Sequence, residues 1–326
     1  MKYKLSIIIP IYGVDRFIER CACSLFEQSF DQIEYIFVND CTKDNSISIL
    51  QDVIRRYPSR EKDVVIINHE VNRGLATART TGLDNAHGEY IQHCDSDDWI
   101  EPDMCLEMYN KAVSCNADIV ACNMWVDRVS SKQEYCYPYL EEDVNTLRNM
   151  YLLNNIYSSL CNKIVRKDVY INNNIRPLPN IFMWEDFSVS FRLRYHSRKT
   201  VIIPKSFYHY MINNGDSINH YTDSKIQQQI ECASFFESYI TKNIEGGAEE
   251  FRLAINYVKF MSKLNYLTNQ SIRDFEKWIS IYPESNLDIM KYVRIPLSRR
   301  IVFLIGLHGF PSLASSIYDL ALKIAR

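Results

Sequence analysis

Tyr90-Ile-Gln-His93-Cys-Asp95-Ser-Asp97-Asp98-Trp99 is a short, mostly apolar run that breaks into three acids. The run reads as the end of a strand, where side chains alternate faces, so Asp95 and Asp97 are expected on one side if the chain stays extended. A turn at Asp98 then brings a third carboxylate close. Crowded acids repel, so something positive has to sit among them. Hard oxygen ligands of this kind suit Mg2+ or Mn2+, which keeps several waters and shares a phosphate-bearing ligand. The plainer alternative is an acidic turn that caps the next helix.

Outward from that stretch, the preceding residues alternate strand and helix. Leu5–Pro10 is an all-apolar run of the kind a parallel strand buried on both faces requires, and Val14–Gln28 carries helical spacing at Phe17, Ile18, Cys21, Leu25 and Phe26. Ile33–Val38 and Ile47–Tyr57 repeat the pair, Val64–Ile67 and Leu75–Asn85 repeat it again, and Tyr90–His93 closes the series. This alternation specifies an α/β doubly wound sheet, and such sheets bind ligands beyond the carboxyl ends of their strands. The residues there are Pro10, Ile11 and Tyr12, then Asn39 to Thr42, then Asn72, Arg73 and Gly74, then Asp95 to Asp98. Together they offer what a nucleoside diphosphate needs. Tyr12 is expected to stack on a base, Asp40 to accept from a pyrimidine ring N–H, and Arg79 to reach a phosphate from the helix after Gly74. The alternatives are a solvated strand-end acid for Asp40 and a surface arginine for Arg79. Asp44 reads better as a helix N-cap.

Composition sets the frame for this reading. The 326 residues, 47% apolar and 24% charged, describe an ordinary globular chain, large enough for one big domain with an extension. A net charge of −3, with no basic run before the last quarter, gives no reason to expect a nucleic-acid partner. The ten cysteines show neither paired CxxC spacing nor histidines placed for zinc, and read as reduced, half-buried residues of a cytosolic protein. Leu5–Ile11, interrupted by Pro10 and followed by no small-residue cleavage site, is read as a strand and not a signal peptide.

Four segments in order, Ser6-Ile-Ile-Ile-Pro10-Ile-Tyr12, Val38-Asn-Asp40 with Thr42 and Asp44, Asn72-Arg-Gly74-Leu-Ala-Thr-Ala-Arg79 with Gly82, and Asp95-Ser96-Asp97-Asp98, resemble the motifs of the family 2 glycosyltransferases. The resemblance is strong over residues 3 to 125 and weaker on to about residue 220. It implies a GT-A fold, Rossmann-like, a nucleoside-diphosphate sugar donor, UDP-linked by expectation, and transfer with inversion at the anomeric carbon. By the same resemblance Pro10, Tyr12, Asp40, Asn72, Gly74, Arg79, Asp95 and Ser96 hold the donor. Asp40 reads the base, Asp95 holds the ribose or helps the metal, and Asp97, with Asp95 and Asp98, binds Mn2+ or Mg2+. Gly13, Cys41 and Thr80 stand where the family usually has asparagine, glycine and asparagine, and Cys41 puts the shape of its loop in question.

The middle of the chain should supply the acceptor side. Ile119–Val126 and Glu134–Tyr139 read as strands around the polar turn Asp127–Gln133, and Val144–Asn154 as a helix. The polar stretch from Asn162-Lys163 to Pro179, broken by prolines, reads as a loop over a site. It leads to Trp184-Glu185-Asp186-Phe187, where the resembled family places an acid pair that includes its catalytic base. Displacement at an anomeric carbon passes through an oxocarbenium-like state, so one carboxylate must take the acceptor proton while the departing diphosphate gains charge. Asp186 is the expected base, with Glu185 second, because neighbours at a helix start face apart. The alternative is two acids in a favourable first helical turn. Trp184 is expected to stack on a sugar or to fill core. His209 and His220 are candidate metal contacts, and the turn Asn213-Asn-Gly-Asp216 is a candidate lid.

Residues 1–221 are thus expected to form the catalytic domain, with 1–125 on the donor side and 126–221 on the acceptor side, and 222–326 a helical extension. That extension reads as the helices Lys225–Lys242, Glu249–Leu267 and Ile272–Tyr282. Arg294, Arg299 and Arg300 then lead into Ile301–Leu307 and an amphipathic segment with Ile317, Leu320, Ala321 and Ile324 on one side. The apolar run is too short to span a bilayer. It suits contact with a membrane surface or with a second subunit, as a homodimer. A cytoplasmic protein is expected, at the inner face of the cell membrane if the acceptor is a lipid-linked glycan and not a free one. Two other readings stay open: a sugar nucleotidyltransferase, against which stands the absence of a glycine-rich triphosphate loop after the first strand, and a catalytically silent nucleotide-sugar binding protein.

Overall fold

The structure is a computed structural model that describes residues 2–128, 131–135, 158–212 and 221–324. Within them two compact units are distinguished, one of residues up to 212 and one of residues 221–324. The first is built on a sheet of β1 (Leu5–Ile11), β2 (Ile33–Asn39), β3 (Val64–Asn68), β4 (Tyr90–His93), β5 (Trp99–Ile100), β6 (Ile119–Arg128), β7 (Ser131–Tyr135), β8 (Lys163–Arg166) and β9 (Thr200–Ile212). Its order is β3-β2-β1-β4-β8-β6-β9-β5, with β7 paired to β6.

The β3-β2-β1-β4 half is all parallel, as the strand and helix alternation requires. Every residue of β1 is buried, which explains its unbroken apolar sequence. Pro10 is tolerated because β4 pairs with β1 only as far as Ile8, so the missing N–H costs no ladder bond on that side. The helix Leu75–Asp84 packs Ala78 and Leu83 into a core with Ile8, Ile36, Val38 and Ile91.

Several elements differ from expectation. Lys163–Arg166, anticipated as part of a polar loop, is β8, which runs antiparallel between β4 and β6, and the helix Lys167–Asn172 follows it. Four residues with lysine and arginine at the ends carry no readable period. The strand β9 had no counterpart in the sequence reading. It follows β6 in parallel, shifts register beside Cys122–Met124, and meets β5 antiparallel with Trp99 opposite His209. The first helix is shorter than its apolar spacing, Ile18–Phe26, because the preceding Val14 and Asp15 N–H groups donate to the Ser46 and Asp44 side chains. Asp44, expected as the N-cap, stands one residue too early: the N-cap of the helix Ser46–Arg56 is Asn45, with no side-chain cap bond, and Asp44 accepts the Ser46 N–H at 3.1 Å in the turn before it. The anticipated helix Val144–Asn154, the turn Asn213–Asp216, His220 and the end of the strand Glu134–Tyr139 lie outside the described residues.

The second unit is helical, with Asp223–Asn243, Arg252–Lys263, Leu297–Leu307 and Pro311–Ile324 as its longer members. Trp278, Phe260, Tyr292, Phe303 and Ile226 form its core. The anticipated helix Ile272–Tyr282 is reduced to Phe275–Ser280, because Asp274 caps it by accepting the Lys277 N–H at 2.9 Å. Among the described residues no helix is long and apolar enough to cross a membrane.

Candidate active site

The chain after β4 does not stay extended. The Asp98 N–H donates to the Asp95 carbonyl at 3.1 Å, so the turn falls at Ser96 and Asp97, earlier than the sequence suggested. Strand alternation therefore does not govern these acids. Asp98 turns inward and is fully buried, accepting from the Tyr208 hydroxyl at 2.6 Å and the Met211 N–H at 2.8 Å. Burial, and then the charges of Asp97 and Asp95, hold its carboxyl well above the usual range. Asp98 is thus an anchor that ties the turn to β9, in place of the expected metal ligand. Tyr208 completes the tie by accepting the Asp95 N–H at 3.2 Å. Ser96 is buried at the turn, and Asp97 is half-buried at its corner.

Arg79, for which the surface was the alternative to a phosphate contact, is not on the surface. It is 2% exposed and is the positive group among the acids. Its Nη2 donates to Asp95 at 2.7 Å, and its Nη1 donates to Glu185 at 3.1 Å and to Asp186. Burial disfavours its charge, but Asp186, Asp95 and Glu185 outweigh that and hold the guanidinium protonated. Its Nε has no hydrogen-bond partner. The acid pair also departs from expectation, since Glu185 and Asp186 both face inward. They open the helix Glu185–His196, and Trp184 before them takes a left-handed backbone, φ 64°, that brings both first-turn carboxylates toward one cation. Asp186 accepts the Leu160 N–H at 3.2 Å as well. Burial and then the Asp186 charge push Glu185 up to about 8. Burial raises Asp186 too, against the pull of Arg79.

The rim above β1 and β2 holds the other candidates. Tyr12 is 56% exposed at the end of β1, an aromatic face open to a flat ligand. Asp40, expected to face a base, is buried and committed to the chain. It accepts the Arg73 N–H at 2.8 Å, the Gly74 N–H at 2.7 Å and a contact from His69 Nδ1 at 2.7 Å. It therefore shapes the Asn72–Gly74 loop, and Asn72 adds a 3.2 Å bond to the same Gly74 N–H. Gly74 has φ 83°, and a Cβ there would stand 2.7 Å from the Phe182 ring. No other residue fits. Gly13 and Cys41 both take left-handed backbone, φ 69° and 59°. The departure at Cys41 therefore leaves the loop in the conformation a glycine would favour, at some steric cost.

The donor set bears on a divalent ion. Among the described residues no three His, Cys, Asp or Glu are grouped as a metal site. His209 does not contribute, because its Nδ1 is bound to Asp127 and its Nε2 to Glu101, each at 2.9 Å. Yet Asp97 and Asp95 both stand close enough to Asp98 to raise its carboxyl, while Asp95 also meets Arg79, and acids gathered at one turn suit a cation. Of the three acids expected on an ion, Asp98 is fully buried while Asp95 and Asp97 stay half-buried at the turn, and one or two carboxylates are what Mg2+ or Mn2+ needs where diphosphate oxygens complete its shell. The residues present fit such an ion.

Tyr208, His69, Leu160 and Lys163 support the site and were not among the expected site residues, although Lys163 was read as part of a loop over it. Lys163 is buried on β8, donates to the Ser159 carbonyl, and is pushed down to about 8 by burial. No local pattern marks these residues, since each acts through a partner distant in sequence.

The glycosyl transferase family 2 model matches residues 6–170. The glycosyltransferase GlyA of Streptococcus pneumoniae is 27% identical over 244 residues, covering 71% of this chain but only 34% of GlyA, so the chain spans about a third of that relative. S. aureus TarS 1–349, solved in complex with UDP-GlcNAc, superposes with a TM-score of 0.74 at 16% identity, over 98% of this chain and 92% of that one. The mannosyltransferase PcManGT of Pyrobaculum calidifontis, solved with GDP-Man and Mn2+, superposes with a TM-score of 0.54 at 12% identity, over 99% and 87%. The fold of this chain is that of these GT-A enzymes.

Proposed function

From the premise that the chain belongs to glycosyl transferase family 2, and is a glycosyltransferase, we propose that it moves a sugar from a UDP-linked donor to a glycan hydroxyl with inversion, aided by Mn2+ or Mg2+. The observation that carries the reading is the convergence of Asp95, Glu185 and Asp186 on Arg79 at the carboxyl end of β4. Tyr12 stacks on the base, and the Asn72–Gly74 loop, shaped by Asp40, faces the diphosphate. Asp97 and Asp95 hold the metal, which neutralises charge on the leaving diphosphate when bound. Asp186 takes the acceptor proton. Arg79 keeps it oriented, and burial, helped by the charge of Asp95 against the pull of Arg79, keeps Asp186 basic enough to serve. The UDP assignment draws on the TarS complex with UDP-GlcNAc, and the metal on the PcManGT complex with Mn2+. A cell-surface polysaccharide is the proposed destination, with a free or lipid-linked glycan as acceptor.

The test is release of UDP from a panel of UDP-sugars in the presence of Mn2+ and candidate glycan acceptors. Asp186→Asn should cut acceptor-dependent turnover by at least about 100-fold, the usual worth of a general base, while donor affinity stays near native. Unchanged turnover in that variant removes Asp186 from the role.

A further inference from the structure

The helical unit carries a surface that sugar transfer leaves unused. Among the described residues, nine of the fifteen exposed large apolar side chains lie between 279 and 320. Leu287 is 85% exposed and Val293 63%. Leu297 and Ile301, one turn apart on the helix Leu297–Leu307, are both exposed, and so are Leu313 and Leu320, two turns apart on Pro311–Ile324. Exposed Phe310 stands at the link between the two helices. The opposite sides are buried, with Phe303 and Ala314 turned inward. Each helix therefore shows an apolar strip to solvent as well as one to the core. A lone monomer surface has no use for so many.

The charge around these strips is one-sided. Residues 287–326 hold six basic and two acidic residues in a chain whose net charge is −3. Both acids are already neutralised, Asp288 by Arg252 at 2.7 Å and Lys291 at 2.9 Å, and Asp319 by Arg273 at 3.1 Å. The Arg294 and Arg299 guanidiniums lie 5.6 Å over the Tyr257 and Tyr318 rings, and Arg300 donates to the Met290 carbonyl. We propose that this face docks on an anionic lipid surface, with the exposed leucines, Ile301 and Phe310 entering the boundary between headgroups and acyl chains and Arg294, Arg299 and Arg300 meeting lipid phosphates. A helix of eleven residues spans only about 16 Å, so it lies in the interface and does not cross it. A two-fold contact with a second copy is disfavoured, because it sets the same cations against each other. Docking stands apart from the donor reading: vesicle binding and UDP binding are measured separately, and either can fail alone.

The experiment is co-sedimentation of the full chain with vesicles of phosphatidylcholine alone, or with about one third phosphatidylglycerol, at low salt. Expected is binding at least about tenfold tighter to the anionic vesicles, abolished in Arg294→Gln/Arg299→Gln/Arg300→Gln and weakened about tenfold in Leu297→Gln/Ile301→Gln and in Leu313→Gln/Leu320→Gln. Val113→Gln, an exposed apolar position in the first unit, should bind like the native chain. The apolar side chains and Arg299 are exposed and Arg294 and Arg300 half-buried, and unchanged thermal melts are required to show that the variants fold. The proposal is overturned if the native chain sediments with neither vesicle, or if the leucine variants bind as well as the native chain. It is equally overturned if light scattering shows a native dimer that these variants split while vesicle binding stays unchanged.

Discussion

Arg79 sets one positive charge against Asp95, Glu185 and Asp186, and burial raises the acid pair against its pull. A base with a raised pKa loses its active form as pH falls, so the acidic limb of kcat/KM should lie above the ordinary aspartate range and belong to the pair as a unit. Glu185→Gln removes the like charge. Its limb should move down by about one pH unit or more, and a limb that stays in place separates Glu185 from the titration. The same shift makes the folded chain less stable as pH rises from 4.5 to about 8, because the unfolded carboxyl ionises first. Cys41 gives a second residue-level expectation. Relief of its left-handed backbone outweighs the entropy a glycine loses, so Cys41→Gly should raise stability by roughly 0.5 to 1 kcal/mol, read as a higher melting temperature. A lower one contradicts the steric cost. The sequence named Asp95, Glu185, Asp186 and Arg79 as candidates but not their shared contact, because an arginine on one helix and acids on a loop and a later helix have no common period.

At the scale of elements, the acidic turn holds its shape through β9. Tyr208 donates to Asp98 and accepts from Asp95, so one hydroxyl closes both ends of the turn. Tyr208→Phe leaves a buried acid short of a donor and should cost about 1 to 3 kcal/mol, seen as a lower urea midpoint with unchanged slope. Turnover should fall with it, since Asp95 and Asp97 sit on that turn. A variant with native midpoint and native turnover contradicts the tie. The parallel strands β1 to β4 were legible because each is an apolar run followed by a helix with its own period. The strands β8 and β9 were not. Their pairing with β4, β5 and β6 is non-local, and β8 in the middle of the sheet ends in Lys163 and Arg166. The turn at Ser96 was misplaced for a related reason: its position is set by where Asp98 finds Tyr208, which no local propensity encodes.

At the scale of the molecule, the strand ends gather an open aromatic ring, a backbone loop held by Asp40 and a cluster of acids around Arg79 on one rim of one sheet. Such a rim gains from a ligand that brings a base, a diphosphate and a cation together. The most direct test is calorimetric binding of UDP with and without Mn2+, on the native chain and on Asp97→Ala. The expected result is binding that strengthens at least about tenfold with Mn2+ in the native chain and no longer responds to the metal in the variant. Absence of UDP binding in both conditions, or a metal response that survives in Asp97→Ala, contradicts a UDP-sugar site with Asp97 as its metal ligand.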